Sequence, residues 1–82
     1  MSLTVVWYPP AEHDLLALHW RTSGSRISEA VYHFARTTKG DLRVVRGDVS
    51  APLRLYVASY VVRMSLNTTT GTLYVWRVLR SR

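Results

Sequence analysis

Two hydrophobic periods divide this chain. Up to about residue 40 the apolar positions recur with helical spacing, and from Leu42 onward they alternate. A short β-branched and aromatic run, Leu3 to Trp7, precedes the helical part and stops at Pro9-Pro10, which predicts a first strand. Pro10 suits a helix start, because the N–H it lacks would be unpaired there. Glu12 and Asp14 follow, where the helix dipole favours negative charge. Ala11, Leu15 and Leu18 fall at i, i+4 and i+7 and make one apolar stripe, so a helix is expected that ends near Trp20. Arg21–Arg26, RTSGSR, reads as a turn, with Gly24 as the breaker and Ser25 as the N-cap of a second helix. Ile27, Ala30, Val31, Phe34 and Ala35 give that helix the cleanest stripe in the chain. Gly40 is expected to take the left-handed conformation after its end. Two helices joined by a short turn predict an antiparallel helical hairpin.

In the alternating part, Leu42–Arg46 reads as a weak strand and Gly47, Asp48, Ser50 and Pro52 as a loop. Leu53, Leu55 and Val57 share one face of the next strand, opposite Arg54 and Tyr56. Ala58-Ser59 is a tight connection. Tyr60, Val62, Met64 and Leu66 then share a face, opposite Val61, Arg63 and Ser65. Asn67–Gly71 turns the chain, with Gly71 free to take positive φ. The last strand, from Leu73 to Leu79 or Arg80, is apolar on both faces, as a central strand is. The expected fold class is α+β: an N-terminal strand, an antiparallel helical hairpin and an antiparallel β-meander, in a sheet of about four or five strands. The helices cover one sheet face. Arg54, Tyr56, Arg63 and some of the C-terminal arginines are expected on the other.

Composition narrows the function. With 82 residues the chain reads as one domain, 1–82. A hydrophobic fraction of 48% is too high for disorder. Eleven Lys+Arg against five Asp+Glu give a net charge of +6, and ten of the eleven basic residues are arginine. Arginine stays charged, forks onto phosphates and stacks on bases, so a polyanion or an acidic protein is the expected partner. There is no cysteine, hence no disulfide and no thiolate metal site. No apolar run approaches the roughly 18–20 residues of a membrane span. MSLTVVWYPP carries no basic n-region, so the expectation is a cytoplasmic protein without a membrane partner.

The candidate chemistry lies in a basic and aromatic set: Arg54, Tyr56, Arg63, Tyr74, Trp76, Arg77, Arg80 and Arg82. Arginines that neutralise phosphates beside aromatics that stack on unpaired bases suit single-stranded RNA. Core aromatics with a solvated arginine rim fit the same spacing equally well. Arg54, Arg63 and Arg80 are the candidate catalytic residues, as cations for the charge that develops on the phosphorane in metal-independent RNA cleavage. Arg43, Arg46, Tyr56, Arg77 and Arg82 are the candidate RNA-binding residues. Arg77 alternates with Leu73, Val75 and Leu79, so packing of its stem against apolar surface is an alternative. His13, His19 and His33 fall on the expected helices without acidic partners at diagnostic spacing, and read as surface or packing histidines. Glu12, Asp14, Glu29, Asp41 and Asp48 are scattered, two of them where helix capping accounts for them. No metal constellation and no cofactor loop is expected.

VVWYPPAEHDLLAL, LRLYVASYVVRMSL and LYVWRVLRSR stand in an order and spacing that resembles the RelE/ParE superfamily of bacterial type II toxins. The first is similar to that family's opening strand and helix start, with Pro9, Ala11, Asp14 and Leu15 in the pattern. The second is similar to its central hairpin. The third is similar to its closing strand, with Arg77, Val78 and Leu79 matching. The resemblance implies a toxin that causes growth arrest and is neutralised by an acidic, partly disordered antitoxin, with which it forms a hetero-oligomer. Its RelE-like branch enters the ribosome and cleaves mRNA as an endoribonuclease, an mRNA interferase; its ParE-like branch acts on DNA gyrase and lacks the nuclease residues. On this chain Arg54 matches a basic residue of the RelE-like branch. Tyr60 matches the tyrosine of a Tyr-Arg pair whose arginine is Val61 here, with Arg63 on the same face. Arg80 stands where many members carry histidine. The chain ends at Arg82, ahead of the tail in which nuclease members place a tyrosine or a histidine–tyrosine pair. The leading expectation is translation inhibition at the ribosome through a basic sheet face. The alternatives are a gyrase inhibitor without nuclease activity and a catalytically weakened antitoxin-binding module.

Overall fold

The computed structural model describes residues 2–18 and 22–81. Its elements run β1 (Thr4–Trp7), α1 (Pro9–Leu18), α2 (Thr22–Thr37), β2 (Asp41–Val44), β3 (Leu53–Val57), β4 (Tyr60–Asn67) and β5 (Thr72–Arg80). The five strands form one sheet in the order β1-β5-β4-β3-β2. From β2 to β5 each neighbour is antiparallel, as a meander must be, and β1 joins the outer side of β5 in parallel. The fold is α+β, with a helical pair and a mostly antiparallel sheet. No helix among the described residues is long and apolar enough to cross a membrane.

The helices cover one sheet face because only that face is continuously apolar. Ile27, Val31, Phe34 and Ala35 of α2 and Ala11 of α1 are buried against Leu55, Val62, Met64, Leu73, Val75 and Val78. Val5, Trp7, Leu15, Leu18, Leu42, Leu53, Val57 and Tyr60 surround this core, half-buried. The α2 stripe is the one the spacing predicts. No charged or polar residue is buried among the described residues. Among the described residues the opposite sheet face carries no helix.

Three local features differ from the sequence reading. First, α2 already begins at Thr22, so most of the expected turn at 21–26 is helical. Gly24 is buried in its first turns and Ser25 is an exposed helical residue, not a cap. Glycine costs a helix roughly 1 kcal/mol, and tertiary packing of α2 outweighs that local preference. Arg21 and the expected helix end at Trp20 lie outside the described residues.

Second, the left-handed position after α2 belongs to Thr38, at φ 58°, whose N–H bonds to the Phe34 carbonyl at 2.7 Å. Gly40 has another job. At φ 155° its missing side chain leaves room for the buried Leu55, whose Cδ1 would lie 2.9 Å from a Cβ there.

Third, the register of β4 and β5 slips between Arg63 and Met64. Met64 pairs with Val75 and Arg63 with Arg77, which leaves Trp76 as the extra residue of a β-bulge. The bulge resets the alternation, so Leu73 and Val75 share the core face with Val78, not with Arg77 and Leu79.

Candidate nucleic-acid interface

Strand register builds the site. Arg43 of β2 pairs with Arg54 of β3, Arg54 with Arg63 of β4, and Arg63 with Arg77 of β5. Four arginines thus form one row across four strands, with neighbouring strands about 4.8 Å apart. Arg54 and Arg63 lie on the face without helices, because Leu55, Val62 and Met64 beside them point into the core. Like charges directly opposite one another destabilise a sheet, so such a row needs counter-charge.

Asp48 supplies it. The loop between β2 and β3 brings its Oδ2 to Nη2 of Arg54 at 2.8 Å and to Nη2 of Arg63 at 2.5 Å. Its Oδ1 accepts the Ala51 N–H at 3.1 Å, which fixes the loop. The hydrogen bond from Arg63, the Ala51 N–H and the two positive charges hold the Asp48 carboxyl below its ordinary 3.8 against the effect of burial. The Nε atoms of Arg54 and Arg63 are buried and have no partner among the described residues.

The ends of the row differ from its centre. Arg43 lies over the Tyr56 ring at 4.8 Å and is 3.7 Å from Asp41, both well exposed. Arg77 turns to α1, where Asp14 receives its Nε at 2.7 Å and its Nη2 at 3.1 Å. The same carboxylate accepts the Val78 N–H at 3.0 Å. Burial raises the Asp14 carboxyl, but these hydrogen bonds and the Arg77 charge outweigh it and leave it below its ordinary value. Asp14 lies beyond the first turn of α1 and serves β5 instead of capping the helix, and the Arg77 guanidinium is committed to it.

Arg80 does not join Arg54 and Arg63. It pairs with Tyr60, two residues beyond the core pair Val62–Val78, and so lies on the side that carries the helices. Its guanidinium lies 5.8 Å from the Tyr60 ring centroid. The three candidate catalytic arginines are thus divided between two faces by the bulge at Trp76, which resets the alternation of β5. Arg46 is exposed in the loop that carries Asp48. Arg82 and His19 lie outside the described residues, and His13 and His33 are exposed on the helices.

Aromatic rings continue the open face beyond Arg63. Tyr8 stacks on Tyr74, centroids 5.5 Å apart and planes 14° apart, and meets Trp76 at 4.5 Å. Trp76 Nε1 donates to Ser65 Oγ at 2.8 Å. All three rings are half-buried. Two concave hollows lie elsewhere, along α2 and in the groove between Leu15, Leu16 and Tyr32, and neither contains an arginine of the row.

Sequence reasoning passed over Asp48, Asp14 and Tyr8. Asp48 is 15 residues from Arg63, and Asp14 is 63 residues from Arg77. No local spacing signals either pair; the packing of α1 and of the loop between β2 and β3 against the sheet brings them together.

No protein-family profile and no curated protein sequence matches the chain. Its structure is similar to a chain in the crystal structure of the toxin–antitoxin complex RelBE2 from Mycobacterium tuberculosis. The TM-score is 0.79 at 18% identity, over 98% of this chain and 99% of that one. The likeness is one of fold, shared over nearly the whole of both chains.

Proposed function

We propose that this protein is the toxin of a type II toxin–antitoxin system and that it inhibits translation in the cytoplasm by binding RNA at the ribosome. The observation that carries this reading is the Arg43–Arg54–Arg63 row on the uncovered face, flanked by Tyr56 on one side and by Tyr8, Tyr74 and Trp76 on the other. A row of guanidinium groups tracks a phosphate backbone, and flanking rings stack on unpaired bases whatever their sequence. The shared fold with a chain of the RelBE2 complex supports an antitoxin as partner. The net charge of +6 suits an acidic one.

The roles within the face divide by geometry. Arg54 and Arg63 meet phosphate, Arg43 and Arg46 extend the basic strip, and Tyr56 offers a ring beside it. Arg77 acts through the fold by its bond to Asp14. Arg80 serves a different surface, so transition-state charge in any cleavage step falls to Arg54 and Arg63.

A second reading, a gyrase-directed toxin without nuclease activity, draws on one observation. The described residues around Arg54 and Arg63 include one close carboxylate, Asp48, and both arginines already engage it. That arrangement binds anions more readily than it moves protons.

The test is cell-free translation with the purified chain. Inhibition by the wild type, lost when Arg54 and Arg63 are both alanine, supports the RNA reading. Unimpaired translation together with inhibited gyrase supercoiling supports the second.

A further inference from the structure

The deepest cations of the open face are held by a carboxylate of the same chain. Asp48 Oδ2 is shared between Nη2 of Arg54 and Nη2 of Arg63, and Oδ1 is committed to the Ala51 N–H. One oxygen therefore serves two guanidinium groups, each of which has five N–H donors. Among the described residues the Nε–H of both is buried and unpartnered. A phosphodiester offers two charged oxygens in a geometry that guanidinium forks match. It satisfies this pair better than one carboxylate oxygen does.

The loop that holds Asp48 is anchored at its base, by the Val45 N–H to the Pro52 carbonyl at 2.7 Å and by buried Ala51, and is exposed at its tip. Arg46, Gly47, Val49 and Ser50 are exposed, Val49 at 91%. A Cβ at Gly47 would meet nothing within 4 Å. Beyond its salt bridges, Asp48 is held by the Ala51 bond and by its own N–H to the Val45 carbonyl at 3.3 Å.

We propose that the Arg54–Arg63 pair is a phosphate subsite whose resting occupant is the Asp48 carboxylate. An RNA phosphodiester enters by displacing Asp48. This deepens the RNA-binding reading given above and rests on it. Asp48 then acts as a built-in competitor: it neutralises two opposed arginines while the site is empty and lowers the affinity for single weak anions. Only a ligand with several phosphates, gripped also by neighbouring arginines and rings, displaces it.

The test compares wild type, Asp48→Asn and the double variant Arg54→Ala/Arg63→Ala with two probes, a labelled single-stranded RNA oligonucleotide of mixed sequence and inorganic phosphate. Asp48→Asn keeps an acceptor for the Ala51 N–H and removes the competing charge. It is expected to bind RNA about fivefold more tightly at 0.1 M salt, because no carboxylate has to leave the two guanidinium groups first. The double variant loses this gain. In the wild type, NMR should show the Ala51 amide shifting as RNA binds, because its acceptor leaves. Affinity of Asp48→Asn for RNA equal to or below that of the wild type, with the Ala51 amide unmoved, overturns the proposal. If Asp48→Asn fails to fold, the Ala51 amide of the wild type decides alone. Inorganic phosphate bound at Arg54 and Arg63 of Asp48→Asn, with no RNA bound by any variant, supports the subsite and overturns the RNA reading. Neither probe bound by any variant overturns the subsite.

Discussion

Arg77 and Asp14, 63 residues apart, form a two-pronged ion pair that closes the edge of β5. β1 ends at Trp7, and its last rung is the Tyr8 N–H to the Val75 carbonyl at 3.0 Å. Beyond that rung the Val78 N–H has no strand partner on this side, and Asp14 from α1 takes it. The helix thereby replaces the missing strand. Asp14→Ala leaves a half-buried N–H unpaired and should lower the unfolding free energy by about 1–2 kcal/mol in urea titration. Arg77→Ala should cost less, because the arginine is 45% exposed and the pair is screened by solvent.

Acid should destabilise the protein through the same two aspartates. Asp14 and Asp48 both titrate below the 3.8 of an unfolded-chain aspartate. A depressed carboxyl stabilises the fold fully above its unfolded value and loses that contribution as pH falls through the folded one. Thermal midpoints should therefore hold from pH 7 to about 5 and fall from about pH 4 downward. The double variant Asp14→Asn/Asp48→Asn should be less stable at pH 7 and show a shallower fall over the acid range.

The chain between α2 and β2 carries two backbone positions with opposite expectations. Gly40 cannot accept a side chain without moving Leu55, which is 2% exposed, so Gly40→Ala should cost about 1–3 kcal/mol. Thr38 is β-branched in the left-handed region, where glycine is favoured. Thr38→Gly should stabilise by about 0.5–1 kcal/mol. Denaturant midpoints of the two variants would move in opposite directions.

Trp76 tests the aromatic part of the proposed RNA interface. A base stacking beside Tyr8 and Tyr74 should quench its emission when single-stranded RNA is added. Trp76→Ala should weaken RNA binding by about 1–3 kcal/mol. An equal loss for RNA and for a flexible abasic polyphosphate would point to a packing role for the ring.

Much of this architecture is legible in the sequence, because each element has a strong period of its own. The stripe Ile27, Val31, Phe34, Ala35 and the alternation Leu53, Leu55, Val57 mark the core faces directly. Arg54 and Arg63 follow as residues of the opposite face. What stays hidden depends on register. The bulge at Trp76 is invisible in the pattern, yet it decides where Arg77 points and places Arg80 on the face away from Arg54. Asp14 and Asp48 resemble a helix-start residue and a loop residue, because their partners are distant in sequence. Gly24 looks like a breaker because propensity is local, whereas the packing of α2 is not.

The most direct test of the translation account is to induce the chain in cells without any antitoxin, follow amino-acid incorporation and chromosome integrity together, and map mRNA 5′ ends in the same samples. The account predicts that protein synthesis stops within minutes while chromosomes stay whole, and that alanine at Arg54 and Arg63 abolishes the effect. New mRNA ends in translated frames would add cleavage to binding. Continued protein synthesis beside broken chromosomes, or an arrest unchanged in the Arg54→Ala/Arg63→Ala variant, would contradict it.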